Sequence, residues 1–288
     1  MNKIYSLTII CAGILWGTIG IFAKTLTQFG FDSVQNTTIR LAVCAIVLVL
    51  INIKHLRIKL SDLWMFALLG IASLFSMSFV YFEAIKYTSL SLAAILLYTA
   101  PIMVTIMASV FYREKMTTLK IAALIFAFIG IVMISGFDPA TNITAKGIVY
   151  GLLSAFSYSL YSIIGKFVLK KYSTKTTITY AFIFAAAAAV LCCDFSSIAS
   201  TVALADNKIV LAIVMFATGI VTAALPYTLY TIGLTHVPAG KASIMASVEP
   251  LTATLIGVAF YSEKLGIISL LGMALILGSV TSLSLSKA

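Results

Sequence analysis

The chain has 288 residues, 61% of them hydrophobic and 10% charged, with a mean hydropathy of +1.12. Soluble domains carry roughly 25% charged residues, so a chain this apolar cannot cover its surface in water, and its solvent is lipid. The formal charge of +10 does not signal nucleic acid, because the basic residues sit in short loops between apolar runs and form no basic domain.

Backbone groups in hydrocarbon must be satisfied within the chain, by helices or by a closed barrel. The apolar runs here far exceed the ~10-residue alternating strands of a barrel. The reading is therefore an all-α membrane protein with ten spans, at about 4–24, 33–53, 62–86, 89–112, 116–136, 146–169, 175–195, 208–235, 239–261 and 265–286. Each is near or above the ~20 residues that cross a bilayer. The first has no small-x-small cleavage site and is followed by nine more, so it reads as a span and not as a signal peptide.

In chain order, span one carries Gly13, Gly17, Gly20 and Lys24 on one face, with Trp16 beside them. Small stripes let helices approach closely; a cavity wall is the other reading. Span two holds Arg40, roughly 10 Å below its outer end at 1.5 Å per residue. Span three holds Tyr81, and Glu83 near its outer end. Arg40 and Glu83 belong to the same half of the bilayer and form a candidate intramembrane ion pair. Span four reads Leu97-Tyr98-Thr99-Ala100-Pro101, with two hydroxyls next to a mid-helix proline. Gly136–Lys146 and Asp194–Lys208 read as the longest irregular stretches. Span six carries Ser154, Tyr158, Tyr161 and Ser162, a polar-aromatic face suited to stacking on and hydrogen-bonding an organic solute. Span eight holds Tyr230. Span nine holds Glu249 ten residues in, about 15 Å deep, followed by Pro250. A charge there costs at least ~2.5 kcal/mol. It reads either as a substrate or proton site or as a carboxyl satisfied within the bundle. Pro101 and Pro250 are hinge candidates.

With the N-terminus inside, thirteen Lys and Arg residues fall on the inner side and five on the outer, Arg40 lying within a span. This bias predicts both termini in the cytoplasm. Residues 81–135 also align without a gap on 230–284, at an offset of 149. Tyr81 meets Tyr230, Pro101 meets Pro250, and Phe111-Tyr112-x-Glu114-Lys115 meets Phe260-Tyr261-x-Glu263-Lys264. A weaker match at offset 142 sets Trp16 on Tyr158 and Lys24 on Lys166. The halves are 1–137 and 146–288. Five spans per half is an odd number, so the second copy enters from the opposite side, giving the inverted repeat typical of secondary transporters.

No G-x-x-x-x-G-K-[ST] is present, so no ATP-driven pump is encoded. His55 and His236 sit in no metal or nucleophile pattern, and the four cysteines read as small packing residues. No catalytic residue, metal or cofactor is expected, and no nucleic-acid partner.

The chain resembles the EamA family of the drug/metabolite transporter superfamily over its whole length. The residues that carry the resemblance are Trp16-Gly17, Arg40-Leu41, Tyr87-Thr88-Ser89, Pro101 with Arg113-Glu114-Lys115, and Glu249-Pro250-Leu251 with Ser262-Glu263-Lys264. The resemblance implies a basket of helices in the plasma membrane, with spans one, three, four, six, eight and nine around a central cavity. Spans five and ten are implied at the periphery, where they can support a homodimer. It also implies carriage of an amino acid, amine, nucleoside or similar metabolite, often outward, with a proton or by exchange. The cavity candidates are Trp16, Tyr81, Tyr98, Thr99, Tyr158, Tyr161, Ser162, Tyr230 and Glu249, facing a small-molecule substrate. One buried carboxyl leans towards a cationic or zwitterionic solute. The alternative is a membrane partner or scaffold that transports nothing.

Overall fold

The computed structural model describes residues 2–136, 144–261 and 266–286. Among the described residues there is no strand, and ten helices are long and apolar enough to span a bilayer. They are Lys3–Gln28, Ser33–His55, Leu60–Tyr87, Leu90–Tyr112, Thr118–Ser135, Ala145–Val168, Thr174–Leu191, Lys208–Leu234, Ala239–Tyr261 and Ile267–Leu285. Ten hydrophobic spans are ten multi-pass membrane helices, numbered one to ten below. The Ser262-Glu263-Lys264 motif and the linker around residue 137 lie outside the described residues.

Polar side chains punctuate the spans at their starts. Asp32 opens span two with a capping box: its side chain accepts from the Gln35 N–H at 2.8 Å, and the Gln35 side chain accepts from the Asp32 N–H at 2.9 Å. Such reciprocal caps satisfy backbone donors that a helix start leaves unpaired. Ser89, Thr117, Thr144, Ser173 and Asn207 cap spans four, five, six, seven and eight in the simpler way.

The stretch Asp194–Lys208, expected to be irregular, instead contains a short helix, Phe195–Leu204, capped by Asp194. Ile198 and Val202 of this helix pack on a buried cluster of Leu26, Phe31, Ile39 and Leu211. Ten residues are too few to cross a bilayer, but this apolar face is enough to hold the helix against the ends of spans one, two and eight.

The two halves repeat in backbone detail. Span three contains a π-helical stretch at Leu68–Phe75 and span eight one at Ile220–Ala224. Ile71 and Phe75 correspond to Ile220 and Ala224 at offset 149. Gly70, inside the first stretch, and Gly219, immediately before the second, are also repeat mates. A Cβ on Gly70 would lie 2.3 Å from the Ala181 carbonyl oxygen of span seven, and one on Gly219 would lie 2.5 Å from Val43 of span two. The same glycine admits the same neighbour in each half. Spans four and nine are also broken alike. Span four divides into Leu90–Leu97 and Ala100–Tyr112, and span nine into Ala239–Met245 and Val248–Tyr261. Pro101 and Pro250 each sit in the first turn of the second segment, where the missing N–H costs no helical bond.

Spans five and ten pack on each other through Gly130 and Gly272. Each glycine's absent Cβ would fall 2.6 Å from the other's carbonyl oxygen. Helices pack in lipid by such close approach, not by hydrophobic expulsion. Gly272→Leu is therefore expected to separate these spans and lower the thermal unfolding midpoint in detergent. Gly278→Leu serves as the comparison, since nothing lies within 4 Å of its Cβ position; equal midpoints for the two variants would refute the packing role.

Candidate functional site

A cavity of about 540 Å³ occupies the half of the bundle away from both termini. It is lined by spans one, three, four, six, eight and nine, the set the resemblance implied, and also by span two through Ser33, Asn36, Thr37 and Arg40. Trp16, Tyr81, Tyr98, Tyr158 and Glu249 all line it. Tyr161, Ser162 and Tyr230 line instead a chamber of about 10 Å³ on the terminal side, with Ser73. That chamber has room for about one water. Trp16, Met77, Tyr158 and Tyr227 border both spaces and separate them.

The floor is an aromatic cluster. Trp16 meets Tyr227 edge-on at 4.9 Å and Tyr230 at 5.4 Å, and Tyr161 meets Tyr227 at 5.0 Å. Below it the hydroxyls pair across spans six and eight: Tyr161 with Thr231 at 2.7 Å and Ser162 with Tyr230 at 2.7 Å. Tyr227 and Asn36 were not among the sequence candidates. Tyr227 stands one helical turn before Tyr230, which is the only signal the sequence offers. Asn36 stands one turn before Arg40 and has no composition signal of its own.

Two expectations are corrected. Arg40 and Glu83 do not pair: Glu83 binds Lys86 at 2.5 Å, one turn away on its own helix. Arg40 faces the cavity, its guanidinium 3.4 Å from the Ser78 hydroxyl. Span direction alone places the two charges at one depth, but the rotation of spans two and three points them apart. Thr99 turns inward on its own helix, donating to the Leu96 carbonyl at 2.7 Å, and does not line the cavity. In that role it closes the turn at the break before Pro101.

Span one explains the placement of Glu249. A Cβ on Gly13 would lie 2.9 Å from the Ala246 carbonyl oxygen, and one on Gly17 would lie 2.8 Å from the Glu249 carbonyl oxygen. These two glycines seat span one on the break of span nine. Gly20, with nothing within 4 Å, lines the cavity. The stripe thus serves both readings, packing below and cavity wall above.

Three polar atoms on the cavity wall are unspent. The Trp16 Nε1, the Arg40 Nε and the Asn36 Oδ1 are buried and have no hydrogen-bond partner among the described residues. Among the described residues neither Arg40 nor Glu249 forms an ion pair. Buried polar groups are normally satisfied, yet two donors and an acceptor are left open on the wall that also carries the Glu249 carboxyl, with the Tyr98 hydroxyl beside it.

A membrane bundle of two inverted five-helix repeats around an aromatic, polar cavity is the architecture of a transporter. The chain belongs to the EamA-like transporter family, whose model matches residues 3–136 and 145–285, within the drug/metabolite transporter superfamily. An uncharacterized transporter of Archaeoglobus fulgidus is 29% identical over 275 residues, covering 94% of this chain and 93% of that protein. The uncharacterized inner membrane transporter YicL of Salmonella typhimurium is 22% identical over 290 residues, covering 98% and 95%. A solved crystal structure matches the fold with a TM-score of 0.78 at 19% identity, over 96% of both chains.

Proposed function

We propose that the protein is a secondary active transporter of a small zwitterionic or cationic amphipathic metabolite, such as an amino acid or amine, working by alternating access in the plasma membrane. The observation that carries this reading is that Arg40 and Glu249 face one cavity without pairing. A lone charge in hydrocarbon is expensive, and a solute bearing both a carboxylate and an ammonium would neutralise both at once. Arg40 offers a planar fork to the carboxylate. Glu249, with Tyr98 beside it, accepts from the ammonium. Trp16, Tyr81, Tyr158 and Tyr227 offer faces and edges to the apolar part and to the cation.

The bias of basic residues supports termini in the cytoplasm, and with that orientation the cavity faces outward. Breaks at Pro101 and Pro250 serve as hinges. Glu249 is the group that would carry a coupled proton, or would hold the counter-solute in an exchange.

Flux in proteoliposomes tests the reading. A neutral amino acid, its decarboxylated amine and its deaminated acid are each offered with and without a pH gradient. Counterflow of the zwitterion or amine well above that of the acid is the expected result. Flux of none of the three, or of the acid alone, would reject this substrate class.

A further inference from the structure

The two ends of the molecule carry repeat-related surfaces in opposite conditions. At the end away from the termini, Gly20, Tyr81, Phe82, Leu90 and Ala253 line the open cavity. Their repeat mates at offsets 142 and 149 are Ser162, Tyr230, Thr231, Ala239 and Val104. All five mates are buried, none more than 2% exposed. The surface that forms a cavity at one end is packed shut at the other.

One side chain crosses that closed seam. Glu114 follows span four, and its carboxylate meets groups from three other spans. Oε1 lies 3.1 Å from the Lys166 ammonium of span six, and Oε2 lies 3.0 Å from the Lys120 ammonium of span five. The N–H groups of Ala239 and Gly240, at the start of span nine, donate to it at 2.6 and 3.2 Å. Four donors fill a carboxylate's lone pairs. Burial works to raise this carboxyl, but Lys166, then Lys120 and the Ala239 N–H, outweigh it and hold the group below the ordinary carboxylate range.

The backbone is shaped for this contact. Arg113, immediately before Glu114, has φ +53°, left-handed backbone that a residue with a Cβ adopts at a cost. Gly240 leaves the space in which Lys120 lies, since a Cβ there would come 2.6 Å from the Lys120 Nζ. Tyr112, one residue before Arg113, donates to the Ile163 carbonyl at 2.6 Å and so ties span four to span six as well. At the open end the mates of Tyr112 and Lys166 are Tyr261 and Lys24. There Lys24 lies over the Tyr261 ring at 3.5 Å, with the cavity open beside it.

We propose that Glu114 is the latch of the terminal-side gate: it staples spans four and five of the first half to spans six and nine of the second, and its release opens the seam lined by Val104, Ser162, Tyr230, Thr231 and Ala239. This rests on the alternating-access reading, but it concerns which end is open and not which solute passes. Ionised partners on both halves make the latch strong in one state and absent in the other, which is what a two-state gate requires.

The test uses cysteine accessibility, with the four native cysteines replaced. Single cysteines at Val104 and at its repeat mate Ala253 report the two ends, labelled with a maleimide in detergent and in vesicles of known orientation. Loss of charge-assisted bonds from the latch, in Glu114→Gln, shifts the equilibrium by about tenfold. Val104→Cys is then expected to label about tenfold faster, from the side of the termini, and Ala253→Cys to label more slowly. Lys166→Gln is expected to act in the same direction, and exposed Lys115→Gln to change neither rate. Unchanged rates, or faster labelling at both positions with a lowered unfolding midpoint, would overturn the latch. Accessibility is read without any solute, so a failed transport assay leaves this result standing, and the reverse is also true.

Discussion

Glu249→Gln is expected to weaken binding of a neutral amino acid by roughly ten- to a hundredfold, while leaving the affinity for its deaminated acid unchanged. A hydrogen bond to a charged group contributes about 1.5–3 kcal/mol, and each 1.4 kcal/mol is about tenfold. Glutamine keeps the shape and an acceptor oxygen, so the loss measures the charge. Arg40→Gln is expected to do the opposite, sparing the amine and losing the acid. The pair is informative because the two groups line one cavity yet do not touch each other. Each variant should lose discrimination for one end of the solute only. Ligand-dependent thermal shifts in detergent measure this, since a ligand bound to the folded state raises its stability by mass action. Equal losses for all three probes in both variants would mean that the charges support the bundle and not the solute. Gradient-driven flux by Glu249→Gln with its full pH dependence would remove the carboxyl from coupling.

Gly17→Ala is expected to cost about 1–3 kcal/mol of stability, the usual cost of overpacking, and to abolish transport in the fraction that still folds. Its Cβ would fall 2.5 Å from the Thr252 Cβ and 2.8 Å from the Glu249 carbonyl oxygen. Neither is the loose end of a flexible side chain, so span nine must move. That movement shifts the break next to Glu249 and changes its distance from Arg40. Gly20→Ala provides the comparison. It lies one turn further along the same stripe and meets nothing within 4 Å, so its midpoint should stay within experimental error of the parent. A Gly17→Ala protein as stable and active as Gly20→Ala would show that span one does not set the position of Glu249.

Much of this molecule could be read from the chain alone, and for a physical reason. Lipid demands that backbone bonds close within each helix, so hydropathy and length find the spans with little interference from tertiary context. The proline in span four and its mate in span nine, with the shared Phe-Tyr-x-Glu-Lys ends, carried the repeat, and parity of the spans then made it inverted. Glu249 could be picked out because an ionisable residue inside a span is rare enough to need a reason, and Trp16 and Tyr158 because they stand beside small and hydroxyl-bearing residues on their helices.

Rotation about each helix axis was not legible. A span is apolar on nearly every face, so periodicity does not say which side meets lipid, and depth alone paired Arg40 with Glu83 when the fold turns Arg40 to the cavity and Glu83 to Lys86. Small residues were equally silent: Gly13, Gly17 and Gly20 form one stripe in sequence, yet Gly13 and Gly17 seat span nine while Gly17 and Gly20 line the cavity. The meaning of Glu114 depends on Lys120, Lys166 and two backbone N–H groups up to 126 residues away. The chain's own chemistry settled its solvent, its ten spans and its doubled plan, because those follow from the cost of polar groups in hydrocarbon. Which charges stand alone, and which end is shut, depends on how the helices are turned against one another, and that is set by close contacts no periodicity records.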